Sequence, residues 1–170
     1  MKTLVVIDMQ NDFITGPLGT PEAVAIVPKV KEKIEEYRRR GDKIIFTRDT
    51  HWNDYLNTRE GRHLPVKHCM YGSPGWMLVD GMTVPDDSYI LNKEDFGCSR
   101  WYNHIDEYDH VELVGVCTDI CVIANALTMQ GQIDEIEITV DASCCAGTTP
   151  ENHKAALQVM KSCQIDVINE

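Results

Sequence analysis

Side chains that can do chemistry recur in this sequence at the ends of short apolar runs. They are an acid at Asp8, the triplet Asp49-Thr50-His51, a lysine at Lys93 and two thiols, Cys117 and Cys121, in GVCTDICV. A cysteine in the first turn of a helix meets the positive end of the helix dipole, and a nearby lysine also favours its thiolate. Cys121 fits that position if a helix opens after Val116. Cys117 closes the preceding run, in a tighter site. An aspartate in reach of the thiol can take its proton and pass it to a leaving amine. Backbone N–H groups at the helix start can hold an oxyanion.

The second constellation reads as a metal site. Asp49 and His51 are two residues apart, so in an extended segment both point the same way and can touch one ion. His68, in LPVKHC, is the best third donor, with Glu60 and His63 as further candidates. Aspartate with two histidines suits zinc, iron or manganese. Each residue also has an ordinary role available: Asp8 as a turn cap, Lys93 as a solvated strand-end lysine, Cys121 as a small buried hydrophobe. Convergence on one edge of a sheet is what favours chemistry.

That convergence depends on the elements. Strands are expected at Thr3–Asp8, Lys43–Arg48, Ser88–Asn92, Val111–Val116, Glu135–Val140 and Ile165–Ile168. Helices are expected at 27–40, with Pro28 in the first turn and Gly41 as the stop, at Asp119–Gln130 ending on Gly131, and at Pro150–Cys163. Residues 49–87 read as a long functional loop carrying short helices. Alternating strands and helices imply βαβ units, hence an α/β three-layer sandwich with helices on both faces of a mainly parallel sheet. In such sheets ligands bind beyond the carboxyl ends of the strands. Asp8, Asp49, Lys93 and Cys117–Cys121 all fall there.

The 170 residues fit one domain spanning 1–170. The formal charge of -11 argues against nucleic acid as a partner. The basic run Arg38-Arg39-Arg40 is expected at a helix end, where it suits the dipole. No apolar run reaches the ~18 residues of a membrane span, and the N-terminus does not read as a signal peptide. A cytoplasmic location follows as the expectation. The seven cysteines are odd in number and match no disulfide scaffold, so free thiols are expected.

VVIDMQNDF, TRDTHW, NKEDFGCS and GVCTDICV, in that order at successive strands, make the chain resemble the nicotinamidase/isochorismatase-like cysteine hydrolases over nearly its whole length. The resemblance implies a six-stranded sheet in the order 3-2-1-4-5-6. It implies Asp8, Lys93 and Cys121 as the catalytic set, with Cys121 as nucleophile. It also implies a cis peptide at Val116–Cys117 that aims the Cys117 and Cys121 N–H groups at an oxyanion. Asp49, His51 and His68 match the metal ligands of the nicotinamidase branch, with Glu60 as a fourth candidate and Phe13 as a pocket wall. The Asp-x-His pair with a later histidine favours that branch, in which one divalent ion, zinc foremost with iron or manganese as alternatives, binds the substrate's pyridine nitrogen. The implied reaction is hydrolysis of nicotinamide to nicotinate and ammonia through a thioester, as in NAD salvage. Relatives often assemble, so a homo-oligomer is expected. Two other readings stand beside this one. One is a hydrolase of another small amide, ureido compound or enol ether; the other is a non-catalytic, metal- or redox-responsive binding protein.

Overall fold

The structure, a computed structural model, describes residues 2–106 and 108–170. Six strands form one all-parallel sheet: β1 Lys2–Ile7, β2 Lys43–Asp49, β3 Tyr89–Lys93, β4 His110–Val116, β5 Glu137–Ala146 and β6 Asp166–Ile168. Their order is β3-β2-β1-β4-β5-β6, as expected. The helices are α1 Asn11–Ile14, α2 Pro21–Arg40, α3 Arg59–His63, α4 Ile123–Gln132 and α5 Pro150–Ser162.

The alternation of side chains along β1 explains the layers. Leu4 and Val6 point to one face and pack with Ile26, Val30, Ile34 and Tyr37 of α2. Those four recur at helical spacing and make a single buried stripe. Val5 and Ile7 point to the other face and join Ala126 and Met129 of α4 with Leu157 and Met160 of α5. Each large side chain so buried contributes roughly 1.5–3 kcal/mol relative to exposure. An acid at Val30, which is fully buried, would break the α2 contact.

The order of strands reverses between β1 and β4, and a crevice opens at that point beyond their carboxyl ends. β4 approaches β1 closely there. Gly115 has φ +122°, and a Cβ on it would lie 2.1 Å from the Ile7 carbonyl oxygen, so no side chain fits. The next peptide, Val116–Cys117, is cis.

Three elements depart from expectation by two residues or more. α2 begins at Pro21 rather than 27, because the Thr20 hydroxyl caps it by accepting from the Ala23 N–H and Pro21 takes the first turn. Pro28 is therefore inside the helix; it lies on the exposed face, where water can satisfy the carbonyl it leaves free. α4 runs through Gly131 to Gln132. β5 starts later and extends to Ala146, so Cys144 and Cys145 are strand residues, both buried. All seven cysteines are free thiols. Among the described residues no helix is long and apolar enough to cross a membrane.

Candidate active site

The elements bring two clusters together beyond the strand ends. Asp8 follows β1 and is fully buried, with φ +47°, a left-handed conformation that aspartate tolerates better than most residues. Its backbone N–H donates to the Thr47 hydroxyl at 3.1 Å, and that hydroxyl donates to Asp8 Oδ1 at 2.6 Å. Lys93 ends β3 with Nζ 2.6 Å from Asp8 Oδ2, 3.5 Å from Cys121 Sγ and 3.6 Å from Asp49 Oδ1. One ammonium thus touches the acid, the thiol and the first donor of the metal set.

Cys121 does not sit in an ordinary first helical turn. Thr118–Val122 form a π-helical turn that leads into α4, and the Cys117 carbonyl accepts from both the Ile120 and Val122 N–H groups. The turn is also fastened from outside. Asp119, expected as a helix-start residue, instead accepts from the Thr148 N–H at 2.8 Å and the Thr148 hydroxyl at 2.5 Å. The Thr118 hydroxyl pairs with His153 Nδ1 at 2.8 Å. The β5–α5 loop and α5 therefore hold the segment that carries Cys121. Cys117 is less confined than expected, since it is half-buried and lines the pocket beside Cys121.

Electrostatics set the resting protonation. Burial works to lower the Lys93 pKa, but Asp8, Cys121 and Asp49 outweigh it and hold the ammonium charged. Burial pushes the Cys121 thiol well up; Lys93 opposes this, while Asp8 and Asp49 add to it. Cys121 is thereby held toward the thiol form, because desolvation exceeds the help from one lysine. Burial also raises Asp8, and Lys93 offsets this only in part. A buried carboxylate with raised proton affinity beside a thiol is a suitable proton acceptor.

The second cluster contains Asp49, His51, Glu60 and His68, whose donor atoms all lie within 4.8 Å of one another. His51 Nε2 is 2.9 Å from Asp49 Oδ2 and 3.5 Å from Glu60 Oε1; His68 Nε2 is 3.5 and 3.6 Å from the same atoms. A tetrahedron with the ~2.0–2.1 Å bonds of zinc has edges of about 3.3 Å, which these spacings bracket. His68 Nδ1 faces the Val66 carbonyl at 2.7 Å, leaving Nε2 toward the cluster. His51 Nε2 is buried without a hydrogen-bond partner, although a carboxylate oxygen is close; a cation between them would relieve both. Burial disfavours charge on His68, yet Asp49 and Glu60 raise its pKa to about 10, so the cluster attracts positive charge. The donor set fits a divalent ion. Four protein donors make up a tetrahedral zinc, which can expand to five-coordinate, and a metal accepting five or six ligands likewise keeps room for another.

Glu60 joins this set and His63 does not. His63 ends α3, with Nδ1 turned back to the Arg59 carbonyl at 2.8 Å. Gln10, not foreseen from the sequence, holds Asp49 by both backbone groups: its Oε1 accepts from the Asp49 N–H at 2.8 Å and its Nε2 donates to the Asp49 carbonyl at 2.9 Å. A pocket of about 580 Å³ joins the clusters, lined by Phe13, Asp49, Glu60, His68, Cys117 and Cys121 with apolar residues around them. Phe13 is buried and its ring lies 5.5 Å from that of His68.

A model of the isochorismatase domain matches residues 2–170. The chain belongs to the isochorismatase family. Among curated relatives of this family member, the nicotinamidase of Saccharomyces cerevisiae is 24% identical, with both chains covered in full. A protein of Arabidopsis thaliana named "Probable inactive nicotinamidase" is 29% identical over 94% of this chain and 87% of its own. Among solved structures, the pyrazinamidase of Pyrococcus horikoshii in complex with zinc is 31% identical, with a TM-score of 0.85 and 99% of each chain covered.

Proposed function

We infer that the chain hydrolyses nicotinamide to nicotinate and ammonia, with Cys121 as nucleophile. The observation that carries this reading is the position of Lys93 Nζ, within 3.6 Å of Asp8, Cys121 and Asp49 together. It joins a thiol–acid pair to a metal-ligand set at one end of one pocket. The named activities of the yeast and Pyrococcus relatives support the same reading.

Asp8 accepts the Cys121 proton as sulfur attacks the amide carbon. The N–H groups of Cys117 and Cys121 take the negative charge of the tetrahedral oxygen. Asp8 returns the proton to nitrogen as ammonia leaves, and the carbonyl remains on Cys121 as a thioester. Asp8 then takes a proton from water as it attacks the thioester and returns it to sulfur as the C–S bond breaks; the acid loses its proton to solvent and leaves as nicotinate. Lys93 stays charged throughout and keeps Asp8 and the transient thiolate from facing each other unshielded. Asp49, His51, Glu60 and His68 would hold a divalent ion, which would supply a Lewis-acid anchor for the ring nitrogen of the substrate. Phe13 closes the pocket beside His68 and keeps the ring out of water.

Ammonia release from nicotinamide, measured beside a panel of other small amides, ureido compounds and enol ethers, tests the assignment. Nicotinamide is expected to give the highest kcat/KM. Turnover of a panel member with none of nicotinamide would move the assignment to another substrate of the same chemistry. Metal binding without hydrolysis of any of them would make this a non-catalytic member.

A further inference from the structure

The pocket exceeds what the reaction above requires. Nicotinamide has nine non-hydrogen atoms. Even at the ~30 Å³ that a water molecule occupies in the liquid, each taken alone, they fill less than about half of the cavity; its volume is about 580 Å³. The remaining space has a direction. Cys121 and His68 are at the buried end, while Arg59, His63, Leu64 and Phe96 are exposed at the rim.

Charge is distributed unevenly along that path. The two carboxylates of the lining, Asp49 and Glu60, both belong to the four-donor cluster, where a divalent ion would balance them. The one other formally charged side chain of the lining is Arg59. Its guanidinium has no ion-pair or hydrogen-bond partner among the described residues. Arg38 and Arg40 pair with carboxylates, Arg62 donates to the Asn57 carbonyl and Arg48 lies over the Trp76 ring. A chain of net charge -11 repels anions in general, so a free cation at the mouth of the pocket marks where one can enter.

We propose that the outer half of the pocket is a subsite for an anionic group, carboxylate or phosphate, borne by the substrate on the side away from its amide, with Arg59 as the specificity residue. This rests on the amide-hydrolase reading above. Leu64 and Ile120 line the path and take the uncharged part of the substituent. The guanidinium, planar and with five donors, suits either anion.

The test is calorimetric binding to the zinc-loaded Cys121→Ala protein, which does not depend on turnover. The probes are nicotinamides carrying a carboxylate at ring position 5, away from the ring nitrogen, the corresponding phosphonate, and the neutral methyl esters. At least one anion is expected to bind about fivefold more tightly than its ester, the range for a solvent-accessible pair. The preference shrinks as salt is added, and Arg59→Gln in the same background removes it. Comparison of carboxylate with phosphonate identifies the preferred anion. Equal binding of every anion and its ester, or a preference that survives Arg59→Gln, overturns the subsite. An anion preference in a protein inactive on nicotinamide contradicts only the substrate assignment. Nicotinamide turnover without the preference contradicts only the subsite.

Discussion

Lys93 Nζ lies 2.6 Å from Asp8 Oδ2, and both side chains are removed from water. A buried pair of this kind is costly to break from one side, because the remaining charge has no solvent to replace its partner. Lys93→Met is expected to destabilise the fold by about 3 kcal/mol or more. It is also expected to lower kcat/KM by at least ~100-fold, as Asp8 takes up a proton and ceases to be a base. Urea unfolding and ammonia release, measured on one preparation, check both.

Thr47 provides a gentler test of Asp8. Its hydroxyl donates to Asp8 Oδ1 and so favours the ionised carboxylate. Burial raises Asp8 above its ordinary 3.8 even with this bond. Thr47→Val removes the donor and raises the pKa further. The acid limb of the kcat/KM profile is therefore expected to move to higher pH, while the rate on the plateau changes less. An unmoved acid limb would separate Asp8 from the proton transfer.

The metal set predicts a contrast between neighbours. Glu60→Gln or His51→Ala is expected to weaken zinc binding at least about tenfold, the scale seen even for residues that only support ligands. His63→Ala is expected to leave zinc affinity within about twofold, because its ring turns back onto α3. Titration with a zinc-sensitive dye reads all three. Gln10→Ala tests the support of Asp49, since it removes both hydrogen bonds to the Asp49 backbone.

Away from the pocket, Asp141 governs acid stability. Burial tends to raise its pKa, but the hydrogen bonds from Lys33, Ser143 and Asn169 lower it below 3.8. A depressed acid contributes stability that is present above its unfolded pKa and is lost as pH falls through the folded value. Asp141→Asn is thus expected to cost about 1.5–3 kcal/mol at pH 7. The gap from the parent protein narrows below about pH 4. A gap that is unchanged at pH 3 would exclude this linkage.

How much of this could be read beforehand follows from where the signal lay. The sheet order and the positions of Asp8, Asp49, Lys93 and Cys121 were legible, because a parallel sheet gathers its strand ends on one edge whatever the helices do. The start of α2 is ambiguous in the sequence, because Pro28 and Pro21 both suit a first turn and only Thr20 before Pro21 adds a capping hydroxyl. Thr47 and Gln10 left no sequence signal of their own. A threonine inside a strand and a glutamine just before α1 acquire roles only when β1 and β2 lie side by side. Asp119 was read locally, but its partner Thr148 is 29 residues away on the β5–α5 loop. The depth at which Cys121 is buried, which pushes its thiol pKa up against the pull of Lys93, has no signature in the sequence.

Amide hydrolysis through Cys121 is tested by ammonia release from nicotinamide, compared between the zinc-loaded protein and its Cys121→Ala and Cys117→Ala variants. The expected result is release by the parent chain, none above background from Cys121→Ala, and retention within about tenfold by Cys117→Ala, whose backbone N–H is intact. An active Cys121→Ala protein, or a dead Cys117→Ala protein beside an active Cys121→Ala one, would contradict it.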